Sequence, residues 1–135
     1  MENEKKPKWG VVVLQTAERH NYFEANLDYD TVQLIGLDDY NITLEQLYEW
    51  TKCRCIEIVR YSYGLMCIDD NGKCEGKPIN TLASVLYGNP NDFIVGDAVL
   101  GCSNCPDNFA EPDFYALPYY DAVKLYLEML DIQLS

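Results

Sequence analysis

Histidine is almost missing from this chain: His20 is the only one among 135 residues. It sits in the polar stretch Glu18-Arg19-His20-Asn21, where a loop residue is expected, and no nucleophile stands near it for a general base to activate. Basic residues are scarce as well, ten against 22 acidic ones, for a net charge of −12. Three of the ten, Lys5, Lys6 and Lys8, fall in the first eight positions. A surface of this sign repels phosphate backbones and argues against direct nucleic-acid binding. No apolar run approaches the roughly 20 residues that cross a bilayer. The cationic start leads only into the short Gly10–Leu14 and then polar Gln15, Thr16, Glu18 and Arg19. A signal peptide needs an apolar core of about 7–15 residues, so a cytoplasmic protein is expected. The chain also lacks a G-x-S-x-G elbow, an H-E-x-x-H pair and a glycine loop to cradle phosphate. No catalytic residue is assigned, and an enzyme is not expected.

Against these absences stands a hydrophobic content of 48%, enough for a core. One α+β domain over residues 10–135 is expected, after a charged tail at 1–9. Gly10–Leu14 does not alternate and reads as a strand buried on both faces. Tyr29–Ile35 reads as a second strand, followed by a turn at Gly36–Asn41. Thr43 and Gln46 form a capping box opening a helix whose apolar face is Leu44, Leu47, Tyr48 and Trp50, with Lys52 in its last turn. Cys55–Tyr61 alternates, with Ile56, Ile58 and Arg60 on one face and Glu57, Val59 and Tyr61 on the other. A tight turn at Ser62-Tyr63 joins it to Tyr63–Ile68, and Asp70–Lys73 forms the next turn. Asn80 caps a helix over Thr81–Tyr87 that Gly88 stops. Phe93–Leu100 reads as a strand with a bulge or close approach at Gly96. Pro118 introduces a last helix, Tyr119–Ile132, with Val123, Tyr126, Leu127 and Leu130 at helical spacing. The order β-β-α-β-β-α-β-α points to a mixed sheet of about five strands with helices on one side.

Six cysteines in a cytoplasmic chain are expected to be reduced thiols. The competing reading is a structural zinc held by Cys53, Cys55, Cys102 and Cys105, since zinc takes about four thiolates from two closely spaced pairs. A redox pair at Cys102 and Cys105 would need a helix N-terminus, which Pro106 and Asp107 do not supply. Paired acids occur at Asp28/Asp30, Asp38/Asp39 and Asp69/Asp70. The last resembles a calcium loop, but its ligand spacing is incomplete, and a turn explains it better. Eleven tyrosines, including Tyr61/Tyr63 and Tyr119/Tyr120, suit half-buried positions and also an exposed interface patch.

Within residues 56–100 the order of pieces is distinctive: IEIV at Ile56–Val59, GLMCIDDNGKCEGKPIN at Gly64–Asn80, LASVLYG at Leu82–Gly88 and FIVGDAVL at Phe93–Leu100. This segment resembles the uncharacterised family named domain of unknown function 3846, small proteins of phages, plasmids and conjugative elements. The resemblance implies a mobile-element accessory protein, and no catalytic residues transfer from it. The cysteines and the stretch Cys102–Pro118 fall outside its pattern.

If the domain has a ligand site, Asn80, Tyr87 and Asp97 are the polar residues expected to line it near one end of the sheet. The charge and the tyrosines favour a non-catalytic binding or regulatory protein that engages a protein partner, one that is itself basic. The alternative is a small-molecule or nucleotide binder with a local basic pocket from Arg54, Arg60, Lys73 or Lys77. A thiol- or metal-dependent enzyme ranks last.

Overall fold

The computed structural model describes residues 6–16, 31–102 and 114–134. In chain order the elements are β1 (Trp9–Gln15), β2 (Thr31–Leu37), α1 (Leu44–Thr51), β3 (Ile56–Tyr61), β4 (Gly64–Asp69), α2 (Thr81–Tyr87), β5 (Ala98–Gly101), β6 (Leu117–Pro118) and α3 (Tyr119–Leu134). This is the α+β order expected from the sequence, with the two-residue β6 added. The strands line up as β2-β1-β5-β4-β3. Every ladder is antiparallel, which narrows the expected mixed sheet to an antiparallel one. Since β2 pairs β1 along its whole length, β6 takes the same edge of β1 as β5, beside Trp9 and Gly10.

The three inner strands are covered on both faces, which is why β1 and β4 read as continuous apolar runs. Val12, Leu14, Met66, Ile68, Ala98 and Leu100 point to one side, where α2 and α3 supply Leu82, Ala83, Leu86, Leu125 and Met129. Val11, Val13, Leu65, Cys67 and Val99 point to the other, against Leu47 of α1 and against Phe114 and Ala116. The expectation of helices on one side is thus corrected: α1 covers the face opposite α2 and α3. An inner strand without alternation has two apolar faces, and both must be buried.

Local signals set the helix ends. The Thr43 hydroxyl accepts the Gln46 amide while the Gln46 side chain accepts the Thr43 amide, as a capping box requires. Lys52 lies one residue beyond α1, as its C-cap, instead of in the last turn. Leu44 is exposed, so the apolar face of α1 is Leu47 with half-buried Trp50. In α3 the buried stripe is Ala122, Leu125 and Met129, flanked by Tyr126 and Ile132, while Leu127 stays exposed. That stripe has helical spacing too, and the smaller Ala122 lets the helix approach the sheet.

Two boundaries also shift. Lys8 accepts the Tyr119 amide through its carbonyl at 3.0 Å, and Trp9 already belongs to β1, so the chain is packed down before position 10. Phe93–Leu100 is not one strand. Val95 forms an isolated bridge with Ile79, the chain turns at Gly96, and β5 starts at Ala98. Among the described residues no helix is long and apolar enough to cross a membrane.

Candidate functional site

Two polar assemblies lie on opposite faces at one end of the sheet, and Asp69 adjoins both. The first stands on the α1 face where β1, β5, β4 and β3 reach the same end of the sheet. Cys67 pairs with Val99, and that register, carried two residues further, sets Asp69 across from Asp97. Both residues are buried, 5% and 4% exposed. Asp97 Oδ1 accepts the Thr16 amide at 2.9 Å and the Thr16 hydroxyl at 3.3 Å, and Lys52 Nζ stands 3.0 Å from Oδ2. Asp69 Oδ1 accepts the Asn71 amide at 2.9 Å, and Oδ2 is ion-paired with Lys77. Neither Oδ2 has hydrogen-bond alignment, so each lysine contact is a charge contact. Lys77 also donates to the Lys52 carbonyl at 3.1 Å, which links the two pairs. Lys52 is the one non-glycine residue at positive φ among the described residues, at 57°. Its left-handed conformation ends α1 and turns the chain back toward the sheet.

Asn80 completes this end. Its amide group donates to the Leu14 and Gly96 carbonyls, each at 2.9 Å, and its Oδ1 accepts the Ala83 amide at 3.0 Å. Gly96 has φ +74°, a conformation that side chains disfavour, and it presents its carbonyl to Asn80. Asn80 and Asp97 therefore lie at the same end of the sheet, and their polar atoms are engaged within the fold. We describe this assembly as a clasp joining the end of α1, the turn after β4 and the start of β5.

The second assembly is a groove of about 100 Å³ on the opposite face, between β3, the end of α2 and residues 92–95. Its polar lining is Glu57, Asp69, Asp70, Lys73 and Asp92, and its aromatic lining is Tyr87 and Phe93. Tyr87 is the third expected site residue, and it faces this groove instead of joining Asn80 and Asp97. Asp92 accepts the Phe93 amide at 2.8 Å, in a turn where Asn89 accepts the Asn91 amide at 2.9 Å. These bonds set the carboxylate beside the Phe93 ring. Lys73 crosses from the turn after β4, pairs with Asp92 and lies over Phe93, 4.5 Å from the ring centroid. Gly72 makes that crossing possible, because a Cβ there would stand 2.5 Å from Val95 Cγ2. The Lys73 hydrogen bond, with the Phe93 amide second, holds the Asp92 carboxyl below its ordinary range.

The cysteines do not converge. Cys53 and Cys55 precede β3 at the clasp end, whereas Cys102 follows β5 beside the far end of the β3–β4 hairpin. Six strand steps, roughly 20 Å at about 3.3 Å per residue, separate Cys55 from Cys102. The competing zinc reading is therefore corrected: Cys53 and Cys55 cannot share an ion with Cys102. Cys105 lies outside the described residues, as do His20 and the Asp28/Asp30 pair. Burial raises the Cys53 thiol despite its Thr51 hydrogen bond, and burial also raises Cys102 and pushes Cys67 up to about 12. All three are protonated at neutral pH, which is the opposite of an activated nucleophile.

The basic quartet does not assemble either. Lys73 and Lys77 pair with Asp92 and Asp69, and exposed Arg60 lies toward the far end of β3 from Arg54. The tyrosines divide between packing and surface. Tyr61 meets Tyr63 edge-on at 6.0 Å, and Trp9, Tyr40 and Tyr115 stack in series. Sequence reasoning missed Glu57, Asp92 and Phe93. Adjacent Asp92-Phe93 couples an acid to an aromatic ring, but Lys73, which gives that pair meaning, is 19 positions away. No protein-family model matches the chain, and no curated protein or solved structure matches it either.

Proposed function

We propose that this protein is a non-catalytic, acidic binding protein whose groove between β3, α2 and residues 92–95 receives a basic segment of a protein partner. The observation that carries this reading is the groove lining, the carboxylates of Glu57, Asp70 and Asp92 with Tyr87 and Phe93. Carboxylates attract lysine and arginine over a distance set by salt, and aromatic rings hold the cation and its stem once it arrives. The net charge of −12 adds long-range steering toward a basic partner. The raised thiols disfavour thiol chemistry, and the dispersal of Arg54, Arg60, Lys73 and Lys77 disfavours phosphate capture. A cytoplasmic setting is part of this proposal, and the free cysteines Cys53, Cys55, Cys67, Cys74 and Cys102 among the described residues suit it. An accessory role in a phage or mobile element rests on the resemblance of residues 56–100 alone.

The test is an NMR titration with a blocked tetralysine peptide and a tetraglutamate control, at low and moderate salt. Shifts centred on Glu57, Tyr87 and Phe93 that weaken with salt and are absent with the acidic peptide are expected. No response to tetralysine at low salt, or shifts spread evenly over the acidic surface, would overturn the reading.

A further inference from the structure

Resting on that reading, we infer that Asp92 and the Phe93 ring form a subsite for one side-chain ammonium or guanidinium of the partner, and that Lys73 occupies this subsite as an internal stand-in. The chemistry of the subsite is visible in what fills it. A cation on a carboxylate and over an aromatic face, within about 6 Å of the centroid, is the arrangement that recognises lysine and arginine, and Lys73 meets both conditions. The two receiving groups are adjacent in sequence and set by the turn at 89–93, so they are in place before any ligand arrives.

Lys73 is suited to leave. Its side chain is 48% exposed and that of Asp92 is 37% exposed, so neither depends on the contact for burial. The lysine stem is long and its ammonium is well hydrated, which lets it rotate into water while the Gly72 turn stays seated on Val95. Glu57 and Asp70 line the same groove and provide further carboxylates for a segment carrying more than one cation. A tethered cation competes at an effective concentration on the order of millimolar. A single free cation therefore displaces Lys73 poorly, and a multiply charged segment displaces it well. Lys73 acts as a threshold that selects clustered basic residues.

The experiment is calorimetric titration of the full chain with blocked tetralysine, comparing wild type with Lys73→Met, Lys73→Arg and Lys124→Met. Lys124 lies on α3 near Tyr120, so its variant makes the same change of net charge away from the groove. Lys73→Met is expected to bind about tenfold tighter, because the competing occupant is gone. Lys73→Arg keeps the block and stays near wild type, and Phe93→Ala in the Lys73→Met background abolishes the gain. Equal affinities for Lys73→Met and Lys124→Met, with wild type still binding in the groove, would overturn the subsite and leave the groove reading intact. No binding by wild type or any variant would overturn both.

Discussion

Two kinds of lysine–carboxylate pair sit close together in this fold, and burial of the carboxylate separates them. At the clasp, the Asp69 and Asp97 side chains are 0% and 4% exposed, paired with a largely buried Lys77 and with Lys52 at the surface. At the groove, Lys73 and Asp92 make the same chemical contact in water. A buried carboxylate is costly without its cation, so the clasp pairs hold backbone segments together. An exposed pair gains little from its partner, because solvent serves both groups nearly as well. The same bond is structure in one place and an exchangeable contact in the other. Asp69, which belongs to the clasp and also lines the groove, is where the two meet.

The sharpest way to break this distinction is Lys77→Met. It leaves Asp69 buried without a cation and is expected to cost about 3–5 kcal/mol, read as a lower urea midpoint. Pairing it with Asp69→Asn should recover part of the loss, since the amide needs no counter-ion and can still accept from Asn71. A Lys77→Met variant as stable as wild type would place the clasp in the same class as the groove. Next in size is Asn80→Ala, which strands the Leu14 and Gly96 carbonyls and the Ala83 amide in a buried setting. Loss of a cap and of buried bonds together should cost about 2–4 kcal/mol. A change below that range would mean that water reaches this end of the sheet.

How far the sequence could show this follows from where each signal lies. The ends of α2 were legible because Asn80 and Gly88 act on the backbone within a few residues of themselves. The capping box of α1 and the alternation of β3 were legible for the same reason. The side of the sheet that α1 covers was not, because inner strands without alternation accept a helix on either face. The stripe of α3 was misplaced because its apolar residues fit two helical registers, and only the sheet chooses between them. The clasp draws on Thr16, Lys52, Asp69, Lys77 and Asp97, which no local pattern connects. Asn80, Tyr87 and Asp97 are legible as polar residues near helix and strand ends, but the end of α2 sets Tyr87 in one assembly and the strand register sets Asp97 in the other.

A smaller effect sharpens the comparison from the backbone side. At Gly96 an alanine would have to hold φ +74° with its Cβ 3.1 Å from Lys77 Cδ. The left-handed conformation costs a side-chain-bearing residue about 1–2 kcal/mol, and Lys77 must shift to make room. Gly96→Ala is expected to lose that much in urea unfolding while tetralysine binding at the groove is retained. Loss of both together would show that the clasp positions the groove as well as the fold.

The smallest effect is expected at Lys73, and it is the most informative about the groove. Lys73→Met should leave the urea midpoint indistinguishable from wild type, because the contact it removes is exposed. What should change is Asp92. Its lowered carboxyl pKa means that the pair's small contribution is present above the ordinary carboxylate range and is lost as the pH falls through the lowered value. Without Lys73 the first cause of the depression is gone, and only the Phe93 amide still favours the charged form. An NMR pH titration of the Asp92 carboxyl should therefore show its midpoint rising toward the ordinary value, with stability unchanged at neutral pH. A midpoint that does not move would mean that Lys73 spends its time in water and that the subsite stands open in the wild-type protein. A midpoint that rises together with a clear drop in stability would place Lys73 among the residues that hold the fold, where Lys52 and Lys77 already stand.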